Sequence, residues 1–278
     1  YFMHRLHPFT LSEVIGTPDI VDLETIPELL ISPTQDAQTQ LESLMQLGGF
    51  PEPFLRGSTR WANRWRLDYG TRLIREDMRD LESVRLIDKV ETLYDRLPAT
   101  VGSVLSLNSL REDLEVAFDT LSSWISIFDR LYASFRLSPF GPPKIKALKK
   151  NQKLYLWDWA RVEDDSARGE NLIISHLLRL VHYIRDVHGE KTELRFFRDK
   201  AGHEVDAIIL RKGKPWMAVE IKLSDRPLDR GLKYFIERVP VPWAFQVSLN
   251  GTQDHFLPDI GMHGVRLVPA TRFLVNLP

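Results

Sequence analysis

Four charged residues stand at spacings that suit chemistry: Glu170, Asp206, Glu220 and Lys222. Strand-like alternation in Trp216 to Leu223 sends Glu220 and Lys222 to one face and Val219, Ile221 and Leu223 to the other. The run before it, Glu204 to Leu210, sets Glu204, Asp206 and Ile208 on a common face. Two carboxylates and an ammonium brought together would make a hard, oxygen-rich site for a cation or a proton.

Whether they meet depends on the turn Arg211-Lys212-Gly213-Lys214-Pro215. A three-residue loop over Lys212 to Lys214 pairs Arg211 with Pro215 and sets Asp206 opposite Glu220. A two-residue loop slips the register by one, sets Asp206 opposite Val219 and removes the site. Glu170 is the third acid. In a helix over Gly169 to Val187 it falls on the same stripe as Ile173, Ile174, Leu177, Val181 and Ile184, so it points at the sheet. A carboxylate on an apolar face needs a partner or a cation, although a Glu near a helix N-terminus also complements the helix dipole.

The elements around these residues indicate an α/β domain. After that helix come strand-like runs at Glu193 to Arg198, Glu204 to Leu210, Pro215 to Leu223, Val241 to Val247 and Gly264 to Val268. The chain has 278 residues, enough for two or three domains at about 150 residues or fewer each. It divides into 1–81, a largely helical region, 82–156, and 157–278. With no Cys, disulfide scaffolds, thiolate zinc sites and cysteine nucleophiles are excluded, and a reducing, cytoplasmic setting is expected. No apolar run approaches the roughly 18 residues of a membrane span, so no membrane partner is expected. The 37 basic and 38 acidic residues give a net charge of -1, so attraction to nucleic acid must come from local clusters.

One such cluster is the arginine-rich run Trp61 to Leu81, with apolar spacing at Trp61, Trp65, Tyr69 and Leu73. The i, i+4 placement of Asp68 and Arg72 favours a solvated, salt-bridged helix over phosphate contact. Further on, helical patterns cover Val84 to Leu97, Ser109 to Leu114 and Phe118 to Leu131, the last two joined by Glu115-Val116-Ala117. Short helix, tight turn and longer helix make a helix-turn-helix pattern, and Tyr132 to Trp157 supplies a wing, so 82–156 is expected to be a winged helix. Its helices carry Arg111 against Glu112, Asp113 and Glu115, then Arg130 against Asp119 and Asp129, a balance unsuited to groove entry. A protein-contact role therefore fits the helices better. The wing holds Lys144, Lys146, Lys149, Lys150 and Lys153 without an acid, a candidate nucleic-acid contact or a solvated loop.

The ordered set of Glu170 on a helix, Glu204-Val205-Asp206, a hairpin and Glu220-Ile221-Lys222 resembles the PD-(D/E)XK nuclease superfamily. The resemblance implies that Asp206, Glu220 and the helix-borne Glu170 hold Mg²⁺ or Mn²⁺. The metal would polarise a phosphodiester and activate water, and Lys222 would steady developing negative charge. The segments His7-Pro8-Phe9-Thr10-Leu11-Ser12-Glu13, Gly48-Gly49-Phe50-Pro51-Glu52-Pro53, Lys153 to Asp158, Gly169-Glu170-Asn171 and His203 to Asp206 follow one another in an order that resembles prokaryotic AAA-type ATPases with a C-terminal nuclease-like domain. That family implies an upstream ATPase core with Walker motifs, DNA or a protein as partner, and ATP bound only by the longer parent. The sequence begins at Tyr1-Phe2-Met3 and holds no Gly-x-x-x-x-Gly-Lys-Ser/Thr loop, so it reads as a fragment without nucleotide-binding residues or ATPase activity of its own. The competing expectation is a noncatalytic protein- or nucleic-acid-interaction module, since nuclease-like folds are reused for binding.

Overall fold

A computed structural model of the protein describes residues 4–17, 23–78, 86–141 and 151–278. It is an α+β chain. In order, its elements are α1 (Leu11–Ile15), α2 (Ala37–Leu47), α3 (Pro51–Arg56), α4 (Thr59–Arg72), α5 (Ile87–Arg96), α6 (Leu107–Asp113) and α7 (Phe118–Arg130). Then follow β1 (Ser134–Pro139), β2 (Lys153–Leu156), α8 (Asp165–His188), β3 (Thr192–Arg198), β4 (Glu204–Arg211) and β5 (Lys214–Lys222). The chain continues through α9 (Arg230–Ile236), β6 (Trp243–Ser248), β7 (His255–Leu257), β8 (Val265–Pro269) and α10 (Ala270–Leu274). No helix among the described residues is long and apolar enough to cross a membrane.

The chain forms two compact units. The first comprises the described parts of Tyr1–Glu42, Ser138–Lys144 and Leu172–Pro278; the second, those of Ser43–Leu137 and Ile145–Asn171.

In the first unit the strands run in the order β3-β4-β5-β6-β8-β7, with Ser138 and Pro139 of β1 alongside β3. The β3, β4 and β5 neighbours are antiparallel, β5, β6 and β8 are parallel, and β7 closes antiparallel on β8. The central parallel strand β6 is covered on both faces: it reads Trp-Ala-Phe-Gln-Val-Ser with all but its first residue buried. Helix α9 packs against β4 and β5 through Leu232, Phe235 and Ile236, which share a core with Val205, Ile208, Ala218 and Ala244. The short α1 is closed by a capping box, Thr10 and Glu13 bonding each other's backbone, and ends in left-handed Gly16.

The segment leading into α1 is tied to α8 by histidines. The Leu11 amide donates to His176 Nε2 at 3.1 Å, and the opposite ring nitrogen, Nδ1, lies 2.8 Å from the Leu172 carbonyl. An acceptor at Nε2 requires the proton on Nδ1, so this pair of bonds demands the neutral ring. Burial holds His176 down to about 4 and His182 down to about 4; burial and the neighbouring His182 hold His7 down to about 3. His7 Nε2 and His182 Nδ1 are 3.0 Å apart. Groups with depressed folded values give stability that is intact above about 6.5 and lost as the pH falls towards their folded values. For the fully buried His176 the slope is about 1.4 kcal/mol per pH unit. Thermal denaturation between pH 6.5 and 4.5 should show a steadily falling midpoint, and His176→Gln should flatten that fall. An unchanged slope in the variant would assign the acid sensitivity elsewhere.

In the second unit, β1 and β2 form an antiparallel ribbon, Ser134 opposite Leu156 and Leu137 opposite Lys153. It follows two helices, α6 and α7, joined by a short turn in which Glu115 takes a left-handed φ of 50°. Arg66 from α4 is drawn inward, its Nε donating to Asp158 at 2.9 Å and its Nη2 to the Leu47 carbonyl at 2.6 Å. Trp159, buried beside it, donates its indole N–H to the Leu44 carbonyl at 2.7 Å. Gly48 makes this closeness possible: a Cβ there would meet Asp158 Oδ1 at 2.6 Å, and its φ of 80° is left-handed.

The expected basic wing is corrected at Lys153. Lys153 is not a solvated phosphate contact but is buried to 1% exposure, its ammonium 3.3 Å from Glu170 Oε1. The strand β2 is covered on both faces, so any lysine in it must find an acid inside the fold. Lys144, Lys146, Lys149 and Lys150 lie outside the described residues.

Candidate functional site

The turn joining β4 to β5 is a two-residue loop, not the three-residue loop that the site was expected to need. Leu210 pairs with Pro215 and Arg211 with Lys214, leaving Lys212 and Gly213 at φ 51° and 79°. Two consecutive positive φ angles make the hairpin turn whose twist matches the strands, and Gly213 accepts its share without steric cost. By that turn alone Asp206 would face Val219. A bulge reverses the slip. Between Leu210↔Pro215 and Ile209↔Met217 the ladder shifts, leaving Trp216 as an extra residue in β5. From there Ile209 pairs with Met217, Ile208 with Ala218 and Ala207 with Val219, and the same register sets Asp206 opposite Glu220.

Asp206 and Glu220 are both buried, at 8% and 6% exposure. The Ile221 amide donates to Asp206 Oδ2 at 3.0 Å, so Asp206 takes a backbone donor of the strand that carries Glu220. Lys222 lies on the face of Glu220 and donates to its Oε1 at 2.7 Å. The same ammonium donates to Asp229 Oδ2 at 2.8 Å.

Asp229 caps α9. Its Oδ1 accepts the Gly231 amide at 2.6 Å and the Leu232 amide at 3.3 Å. Its own amide donates to Gln246 Oε1 at 2.7 Å, and Gln246 Nε2 donates to the Arg226 and Pro227 carbonyls at 2.9 and 3.2 Å. Gln246 pairs with Glu220 across the parallel β5–β6 ladder. One polar network thus runs from β5 through the α9 cap to β6. Sequence reasoning missed Asp229 and Gln246. Asp229 before Arg-Gly-Leu is a readable N-cap signal, and Gln246 is the lone amide in an apolar strand.

The electrostatics are uneven. Burial first, and the Asp206 charge second, push Glu220 up to about 9 against the pull of Lys222. Burial draws the Lys222 ammonium down, but Glu220 and Asp229 outweigh it and raise it. Burial raises Asp229, and its bonds from Lys222 and the cap outweigh that and lower it. Glu220 Oε2 is buried and has no hydrogen-bond partner among the described residues. An orphaned carboxylate oxygen beside a second carboxylate fits a hard cation, which needs no more than one or two protein carboxylates when water completes its shell. Among the described residues no group of three or more His, Cys, Asp or Glu is set to hold a metal.

Glu170 belongs to the second unit, whereas Asp206, Glu220 and Lys222 belong to the first. Its Oε1 accepts the Tyr155 hydroxyl at 2.7 Å and lies 3.3 Å from Lys153 Nζ. It stands within α8 beyond the first turn, so dipole complementation is not its part.

No curated protein and no solved structure matches the chain. Two family models do. Residues 38–161 match a domain of unknown function (DUF8612), and residues 167–269, which carry the whole Asp206–Glu220–Lys222–Asp229 network, match a domain of unknown function (DUF4143), a domain commonly found in AAA-ATPase-associated proteins.

Proposed function

We propose that Asp206, Glu220 and Lys222 form a Mg²⁺- or Mn²⁺-dependent phosphodiester-hydrolysing site in the C-terminal part of an AAA-type ATPase that acts on or near DNA. The observation that carries this reading is the orphaned, buried Oε2 of Glu220 beside Asp206 and Lys222. On this reading residues 157–278 are a PD-(D/E)XK-like domain and 82–156 a winged helix, with Lys144, Lys146, Lys149 and Lys150 available to phosphates. When bound, the cation supplies Lewis-acid polarisation of the phosphodiester and lowers the proton affinity of a water. Asp206 and Glu220 hold it with oxygens that the fold has already dehydrated. Lys222, balanced between Glu220 and Asp229, presents an ammonium where negative charge develops. The two-carboxylate site does not require Glu170, the third acid that the resemblance adds.

The closed Glu220–Lys222–Asp229 arrangement favours a second reading, a noncatalytic interaction module in which these groups brace α9 against β5. Calorimetry separates the two. At pH 7 to 8, Mn²⁺ or Mg²⁺ should bind with release of about one proton, because Glu220 must ionise to coordinate. Asp206→Asn, which keeps an acceptor for the Ile221 amide, should abolish that binding. On DNA with Mg²⁺, Asp206→Asn and Lys222→Ala should each lose cleavage. Cation binding without cleavage would favour the interaction module; cleavage that survives both substitutions would remove the nuclease reading.

A further inference from the structure

Helix α4 carries two kinds of arginine. Arg66 turns inward and is fully engaged by Asp158 and the Leu47 carbonyl. Arg60, Arg64 and Arg72 lie on the opposite, exposed side, and Arg56 at the end of α3 joins them. None of these four makes a hydrogen bond or ion pair with another described residue; the expected Asp68–Arg72 salt bridge is not formed. At 100° per residue, Arg60, Trp61, Arg64, Trp65, Asp68, Thr71 and Arg72 fall within one face of the helix. Over that face runs a groove of 640 Å³ whose lining includes Trp61, Arg64, Trp65 and Arg72.

The aromatic groups are held in place. Trp65 stacks on Tyr69 with centroids 5.0 Å apart and planes at 9°, and its indole N–H donates to Glu52 at 2.9 Å. The Arg56 guanidinium lies over Trp61 at 5.0 Å. Four arginines stand against two carboxylates, Glu52 and Asp68, which leaves the strip net positive, and Glu52 also orients Trp65 by accepting its indole N–H. A positively charged strip with ordered indoles along a groove is the arrangement that receives phosphates and unpaired bases together. A duplex hides its base faces, so the tryptophans would have nothing to stack on; an acidic peptide would use the arginines and leave the indoles idle.

We propose that the outer face of α3 and α4 binds single-stranded nucleic acid, Arg56, Arg60, Arg64 and Arg72 taking the phosphates and Trp61 and Trp65 the bases. From Arg60 to Arg72 the strip is about 18 Å long, room for several nucleotides. This surface lies in the second unit and does not rest on the cation site of the first.

The test is fluorescence anisotropy of a labelled oligothymidine with the full chain in EDTA, where cleavage is off. Arg64→Ala with Arg72→Ala should weaken binding about tenfold and reduce the slope of log affinity against log salt by about 1.4, two phosphate contacts on a single strand. Trp61→Leu keeps apolar bulk for folding and removes the stacking face, and it should weaken binding about tenfold. Absence of binding by the native chain would overturn the proposal. So would a duplex of the same length, or polyglutamate, competing as well as the single strand. Affinity unaltered in the arginine pair but lost on neutralising Lys144, Lys146, Lys149 and Lys150 would move the contact to the wing and overturn it as well.

Discussion

Glu220→Gln is expected to make the protein more stable, and increasingly so as the pH rises. The folded protein holds the Glu220 proton up to about 9, against an ordinary value of 4.5. A group whose folded value is raised gives stability that is complete below its unfolded value and is lost as the pH climbs through the folded one. The native chain should therefore lose about 1.4 kcal/mol per pH unit across this window from Glu220 alone. Gln resembles the protonated acid and does not titrate, so the variant should gain roughly 2–4 kcal/mol over the native chain at pH 8 and little at pH 5. Urea denaturation at several pH values measures the difference. A variant less stable than the native chain at every pH would mean that the bond from Lys222 outweighs burial and the Asp206 charge. Mg²⁺ should stabilise the native chain by binding its folded state, and Glu220→Gln should lose that response.

Gly231→Ala should destabilise strongly, against the ordinary sign of such a change in a helix. By helix propensity alone, replacing Gly by Ala is favourable by about 1 kcal/mol. At Gly231, however, a Cβ would be driven into the Glu204 carbonyl oxygen and lie 2.9 Å from the Glu204 amide nitrogen. Both are backbone atoms of β4 and cannot swing aside as a flexible side chain would. Helix α9 must then retreat from the strand, carrying the Asp229 cap and the Lys222 bond with it. Overpacking of this kind costs about 3 kcal/mol. Thermal denaturation should show a midpoint well below that of the native chain, with Mn²⁺ affinity reduced in the same variant. A midpoint equal to or above the native one would show that α9 does not approach β4 so closely.

Several elements were legible because they depend on local pattern. The alternation in Glu204 to Leu210 and Pro215 to Leu223 located β4 and β5, and the apolar period from Ile173 to Ile184 located α8, each to within a few residues at its ends. Helix α9 and strand β7 passed unread. They are 7 and 3 residues long, too short for a period to repeat.

Sequence alone determined which residues stand on which face of β5, because a strand's alternation is a property of its backbone. It also determined that Glu220 shares its face with Lys222. Only the tertiary structure decided whether Asp206 would meet them. The local turn chemistry of Lys212-Gly213 favours a two-residue loop, which slips the register by one; the bulge at Trp216 slips it back. A bulge is settled by how both strands pack against their neighbours, not by the residues of the turn. The same holds for Lys153 and Glu170. Their charges are plain in the sequence, but their pairing depends on β2 and α8 meeting inside a fold that leaves the lysine no water.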